Sequence, residues 1–248
     1  MIKGLIAALQ FLTRIPINIP VDFNSKNLSK STFFFPYVGM LIGLISGAVG
    51  LFMNFIGGSE VGAAFVVLSL VIVTGGLHID GLSDTSDGFF SARKKDRILE
   101  IMKDSRTGTF GVIAVVMDLL LKFVIISRLN SSIFLPAVVL ASGNARLTVV
   151  MLMSYTKNAR PGGMGSMFSD GKPKKYFCFG LITYLAVLVF AFSYKFLLPL
   201  AAAFTASGLI TLKAYKTIGG LTGDVYGANI EICEIVSLLA FMVVQSWI

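Results

Sequence analysis

Long apolar stretches alternate with short polar ones along the whole chain. Seven of them approach or reach the length a helix needs to cross a bilayer: 33–56, 60–76, 108–127, 132–154, 176–194, 196–212 and 225–247. The first carries Gly39, Gly43, Gly47 and Gly50 at steps of three or four, a spacing that lets helices approach closely in lipid. The stretch 1–17 is apolar too, but Lys3, Gln10 and Arg14 interrupt it. It reads as an interfacial or partly re-entrant helix ended by Pro16 and Pro20, with 22–31 a polar, basic linker. No small-residue cleavage site follows it, so it is a poor signal peptide.

Composition agrees with that pattern. Of 248 residues, 55% are hydrophobic and 14% charged, too few polar groups to cover a soluble body of this size. The expectation is an all-α polytopic integral membrane protein with about seven transmembrane helices. One domain covers 1–248, with 1–30 as its interfacial helix and linker. Cys178 and Cys233 lack metal-ligand neighbours and read as small hydrophobes.

Charge placement sets the expected orientation. Among the 21 basic residues, Lys122 and Arg146 lie within spans, and Arg128 and Lys195 lie in loops of one parity. All others fall at the N-terminus or in the loops after the second, fourth and sixth spans. Positive loops stay inside, so the N-terminus is expected in the cytoplasm and the C-terminus outside. The glycine- and charge-rich loops then share the cytoplasmic face of the inner membrane. A site assembled there would draw on soluble, phosphorylated substrates.

The stretch 75–88 concentrates the chemistry. Asp80, Asp84 and Asp87 fall at i, i+4 and i+7, within about 60° of one another on a helix. Ordinary helix starts need one or two acids; three on one stripe repel unless a cation sits among them. Mg²⁺ suits such oxygens and keeps positions open for water and phosphate. His78, the chain's one histidine, would point away from the aspartates unless Gly75-Gly76 or Gly81 breaks the helix. A structural, hydrogen-bonded histidine is the other reading.

Three further stretches join it. In 102–111, Lys103 and Arg106 precede Gly108 and Gly111, and backbone N–H groups at a helix start suit a phosphate. Asp104 there is a further candidate metal ligand. In 157–165, Arg160 before a glycine-rich turn could fold over an anionic substrate, or be part of a flexible basic loop. In 219–234, Asp224, Gly227, Glu231 and Glu234 share one helical side and read as a second acidic wall. Within the spans, Asp118 and Lys122 are four apart and can pair. Arg146 needs a partner, which an acid or a substrate phosphate could supply.

These stretches, with Phe11-Leu12-Thr13-Arg14-Ile15-Pro16 and Phe35-Pro36-Tyr37-Val38-Gly39, resemble the cobalamin synthase family, the adenosylcobinamide-GDP ribazoletransferases. The likeness runs nearly end to end and in order. It implies a Mg²⁺-dependent phosphotransferase acting on adenosylcobinamide-GDP. The ribose hydroxyl of α-ribazole, or of its 5′-phosphate, attacks the phosphorus next to the corrinoid arm and GMP leaves. Under that resemblance Asp80, Asp84 and Asp87 form the catalytic, metal-holding face, with Asp104 and Asp224 as further ligands. Lys103, Arg106, Arg146 and Arg160 would hold phosphates, with His78 a further substrate contact. The bilayer is an obligatory partner, docking to other cobalamin-assembly enzymes and a homo-oligomer are left open, and nucleic acid has no place.

Two other classes compete. CDP-alcohol phosphatidyltransferases also cluster aspartates on membrane helices, but their Asp-Gly is followed after two residues by Ala-Arg. Here Asp80-Gly81 is followed by Asp84-Thr85. An ion-coupled secondary transporter predicts internal repeats and a polar path across the membrane, and neither is evident.

Overall fold

A computed structural model describes residues 1–22, 24–160, 166–168, 171 and 173–247. Among them the chain is helical, with one isolated backbone bridge and no strand. The helices are α1 (Ile2–Leu12), α2 (Ser25–Ser31), α3 (Phe35–Thr74), α4 (Leu77–Phe90), α5 (Lys95–Ile101) and α6 (Thr109–Ser127). They continue with α7 (Ser131–Tyr155), α8 (Lys174–Val187), α9 (Leu197–Ile218) and α10 (Gly223–Val244). Six helices are long and apolar enough to cross a membrane, and large side chains such as Phe55 and Phe190 lie almost bare on the outside.

The count of six against the expected seven has a local cause. Helix α3 is two arms: Gly58 takes φ 85° and ψ −179°, outside helical space. The arms double back, so that Gly62 faces Asn54 and Gly50 faces Val66. They correspond to the expected spans 33–56 and 60–76. The second arm, residues 59–74, measures about 24 Å at the usual helical rise, shorter than a typical hydrocarbon core. Apolar stretch 1–17 supplies only the short helix α1.

The basic loops gather at one pole. Arg14 N–H donates to Val73 O at 2.7 Å, Ser29 Oγ donates to Gly171 O at 3.0 Å, and Lys95 reaches Gly219. Arg128 and Lys195 lie at the other pole, where Asn130 N–H donates to Gln245 Oε1 at 3.0 Å. Helix α7 is the central post, packed chiefly between α3 and α10.

Inside the bundle, α6, α7 and α10 are joined by charge. Lys122 lies 3.2 Å from Asp118 and 2.9 Å from Glu234, and also pairs with Glu231. Arg146 pairs with Glu234, and its Nη1 donates to Ser142 Oγ at 3.0 Å. All five ionic residues are at most 4% exposed. The Asp118–Lys122 pair expected from their spacing is present, inside a larger cluster. Glu231 and Glu234 therefore do not form an acidic wall of the pole: their charges are turned inward and matched. At the pole, α4 crosses α10 with glycine against glycine. A Cβ on Gly81 would come within 2.7 Å of Asp224 O and 3.1 Å of Gly227 Cα.

Both features predict measurable losses. Glu234→Ala strands a buried guanidinium, so stability in detergent should fall by about 3–5 kcal/mol, read as a lowered unfolding temperature. Gly81→Val overfills the crossing, costing about 1–3 kcal/mol in the same assay.

Candidate active site

Two left-handed residues, Gly75 (φ 65°) and Gly76 (φ 71°), end α3 and let α4 start in a new direction. From Leu77 to Phe90 helix α4 is then continuous, and Asp80, Asp84 and Asp87 form the stripe expected. The glycine crossing sets the first turn of α10 beside that stripe. Thr222 caps α10, accepting from Val225 N–H at 3.3 Å, and its hydroxyl donates to Asp224 Oδ2 at 3.2 Å. Arg160 Nη2 lies 3.1 Å from the same oxygen. A backbone clip holds Arg160 there: Ala159 N–H donates to Leu221 O at 2.8 Å, and Leu221 N–H to Lys157 O at 2.9 Å.

The carboxylates feel one another. Burial, followed by the charges of Asp80, Asp224 and Asp87, pushes the Asp84 carboxyl up to about 7, with Arg160 opposing. Among the described residues neither the Asp80 nor the Asp84 carboxylate has a hydrogen-bond donor. A set of hard oxygens with a single cation beside it fits a divalent ion such as Mg²⁺ in chemistry. In placement the fit is looser: among the described residues no three His, Cys, Asp or Glu side chains converge closely enough to cage a metal. Waters and substrate oxygens would complete the shell, as Mg²⁺ prefers.

Several expected members stand elsewhere. Asp87 turns to α6, each oxygen accepting one backbone N–H, from Gly108 at 2.7 Å and Gly111 at 2.8 Å. It caps the orphan donors of that helix start. The N–H groups expected to meet a phosphate are therefore already met. Asp104 does not join the other aspartates: Arg106 forks onto it at 3.0 and 2.7 Å, and those hydrogen bonds hold its carboxyl down at about 2. Lys103 is exposed, with no ion pair among the described residues.

Arg146 does not reach the pole. It is 1% exposed and committed to Glu234, so the acid, not a substrate phosphate, is its partner. His78 lies on the buried face of α4, 3% exposed, because the break at Gly75-Gly76 precedes it and α4 runs on unbroken. Burial first, then the Arg146 charge, holds its imidazole down at about 3, so it is neutral. Residues 161–165 of the expected glycine-rich turn lie outside the described residues, as does Lys172.

The brought-together set is thus Asp80, Asp84, Asp224 and Arg160, and the buried His78 lines the same cavity. Asp80, Asp224 and Arg160 form the polar side of a cavity of about 260 Å³ between α1, α4, α7 and α10. Its other side is apolar, with Phe11, Phe35, Phe168 and Met153. These walls, and the cap Thr222, were not foreseen. A threonine two residues before an aspartate at a helix start was a usable signal, and Phe11 and Phe35 stand in stretches that carry the family likeness; Phe168, one phenylalanine among 21, carried none. A second groove, about 520 Å³, adjoins Asp87 and is lined by Arg93, Arg97 and Arg106.

Known proteins match this chain over nearly its whole length. The family model for cobalamin-5-phosphate synthase matches residues 4–242. A protein of Treponema denticola named adenosylcobinamide-GDP ribazoletransferase is 38% identical over 257 residues, covering 95% of this chain and 96% of its own. One of Clostridium novyi with the same name is 38% identical over 246 residues, covering 97% and 96%. A third, of Caldanaerobacter subterraneus, is 36% identical with 98% of each chain covered. No solved structure matches. The chain therefore belongs to the cobalamin-5-phosphate synthase family, transferases of cobalamin synthesis.

Proposed function

We propose that the chain transfers the adenosylcobinamide-phosphate group from adenosylcobinamide-GDP to α-ribazole or its 5′-phosphate. The products are GMP and adenosylcobalamin or its 5′-phosphate. The reaction is Mg²⁺-dependent and takes place at the cytoplasmic face of the inner membrane. Family membership supports the substrates. The observation that carries the site is the crossing of α4 and α10, which sets Asp80 and Asp224 at one cavity mouth with Arg160, and Asp84 within reach of their charges. The gathering of basic loops at that pole supports the orientation.

The transfer makes one bond and breaks one. The acceptor's ribose oxygen bonds to the phosphorus beside the corrinoid arm, the bond to GMP breaks, and the hydroxyl proton passes to a rim carboxylate. Phosphoryl-group displacement rests on positioning and charge neutralisation more than on covalent help. Carboxylates drawn from Asp80, Asp84 and Asp224 would hold the Mg²⁺ together with water and substrate oxygens; when bound it would neutralise the diphosphate and the departing GMP. Arg160, held by its clip, offers the mouth a fixed cation. Arg93 and Arg97 line the groove beside Asp87 and give the donor's phosphates positive neighbours. Asp87 positions the stripe by tying α4 to the start of α6.

The test is the purified chain in detergent with both substrates and Mg²⁺, followed by chromatography of GMP and corrinoid. GMP and product should appear together and vanish with EDTA. Asp84→Asn should lower turnover by about 100-fold or more, beyond what a group that merely orients a metal ligand commands. Full activity in Asp84→Asn would remove the metal site and leave the family in place. Asp87→Ala should instead lower stability by about 0.5–2 kcal/mol, as loss of a helix cap does. The Mg²⁺ concentration that gives half-maximal rate should not move in that variant.

A further inference from the structure

The cavity at the crossing is too small for the whole reaction. At about 260 Å³ it excludes a corrinoid ring with its nucleotide arm, yet it is built on two chemistries. Its deep wall is a cluster of rings. Phe11 and Phe168 stand 4.7 Å apart centre to centre, and Phe35 and Phe168 5.5 Å apart. Its mouth carries Asp80, Asp224 and Arg160. Buried polar atoms that lack hydrogen-bond partners among the described residues line it, His78 Nε2 and Arg160 Nη1 among them. Buried polar atoms are rarely left so, because desolvation without a partner is costly.

We infer that this cavity is the seat of the acceptor, which enters base-first, its aromatic base against Phe11 and Phe168 and its ribose at the mouth. The inference rests on the proposed transfer and adds which residues choose the acceptor. An occupant that satisfies both halves has a flat, uncharged, aromatic end and a hydroxylated end, which is the outline of a nucleoside. Its hydroxyls meet the open valences of His78 and Arg160. Asp80 belongs both to the cavity and to the aspartate stripe, so the ribose end of a seated nucleoside lies at the carboxylates. The donor, which cannot enter, approaches from outside the mouth. The two substrates therefore occupy different ground, and the ring wall reads the base without touching the donor.

Initial rates with α-ribazole varied at saturating donor, and the reverse, separate the two. Phe168→Leu keeps apolar bulk and deletes the ring. Its KM for α-ribazole should rise about tenfold, the size of one lost base–aromatic stack, with the donor's KM unchanged. Phe11→Leu, at a half-buried ring, should act in the same direction and serves if Phe168→Leu does not fold. Equilibrium dialysis of α-ribazole against wild type and variants, without donor, reads the same loss apart from turnover. Product formation with an unmoved acceptor KM in both folded variants, or with a raised donor KM instead, overturns the seat and leaves the transfer standing. Absence of GMP release in wild type that still binds α-ribazole in the dialysis, more weakly in the variants, would sink the transfer and keep the seat. Absence of both would end both.

Discussion

A lysine and an arginine inside an apolar bundle must be matched, and the matching sets the register of α10. Lys122 and Arg146 together take up Glu231 and Glu234, from helices α6 and α7. Asp224, Gly227, Glu231 and Glu234 lie along one side of α10 by helical period. Once the two glutamates are turned into the cluster, the rotation of the helix is decided. Gly227 then meets Gly81, and Asp224 arrives beside the aspartate stripe. The chemistry at the pole thus depends on an ionic cluster deep within the bundle, three carboxylates about two cations. That is what these ionic groups supply in a place where lipid-like surroundings penalise them.

Much of this was legible from the chain. The apolar runs, the one-sided basic loops and the i, i+4, i+7 aspartates all appear where expected, since each follows from period and composition alone. Other features depend on what the neighbouring helix offers, and period cannot supply that. Glu231 and Glu234 have the spacing of a site wall but face a lysine and an arginine contributed by other helices. Asp87 has the spacing of a ligand but meets the bare N–H groups of α6. Asp104 has the look of a further ligand, but its own neighbour Arg106, two residues on, claims it. The reversal at Gly58 falls between the spans 33–56 and 60–76, where the pattern breaks.

The site that results is asymmetric. Carboxylates outnumber fixed cations at the cavity mouth, while the guanidinium groups of Arg93, Arg97 and Arg106 line the neighbouring groove. The centre is short of positive charge and the edge is supplied with it. The cavity's walls combine helices α1, α4, α7 and α10 with the connecting segments that carry Arg160, Phe168 and Leu221.

The reversal at Gly58 bears on how the protein enters a membrane. The two arms form a run of some forty residues whose single formal charge is Glu60, close to the bend. The nearest lysines and arginines lie before the first arm and after the second, at the same pole. A nascent hairpin of this kind has anchors of one sign at both ends and little to hold at its tip. It can be threaded as a loop, tip first, with neither end crossing, and both flanks vote for the same outcome. The short second arm need not be stable alone in lipid, because its partner arrives already attached.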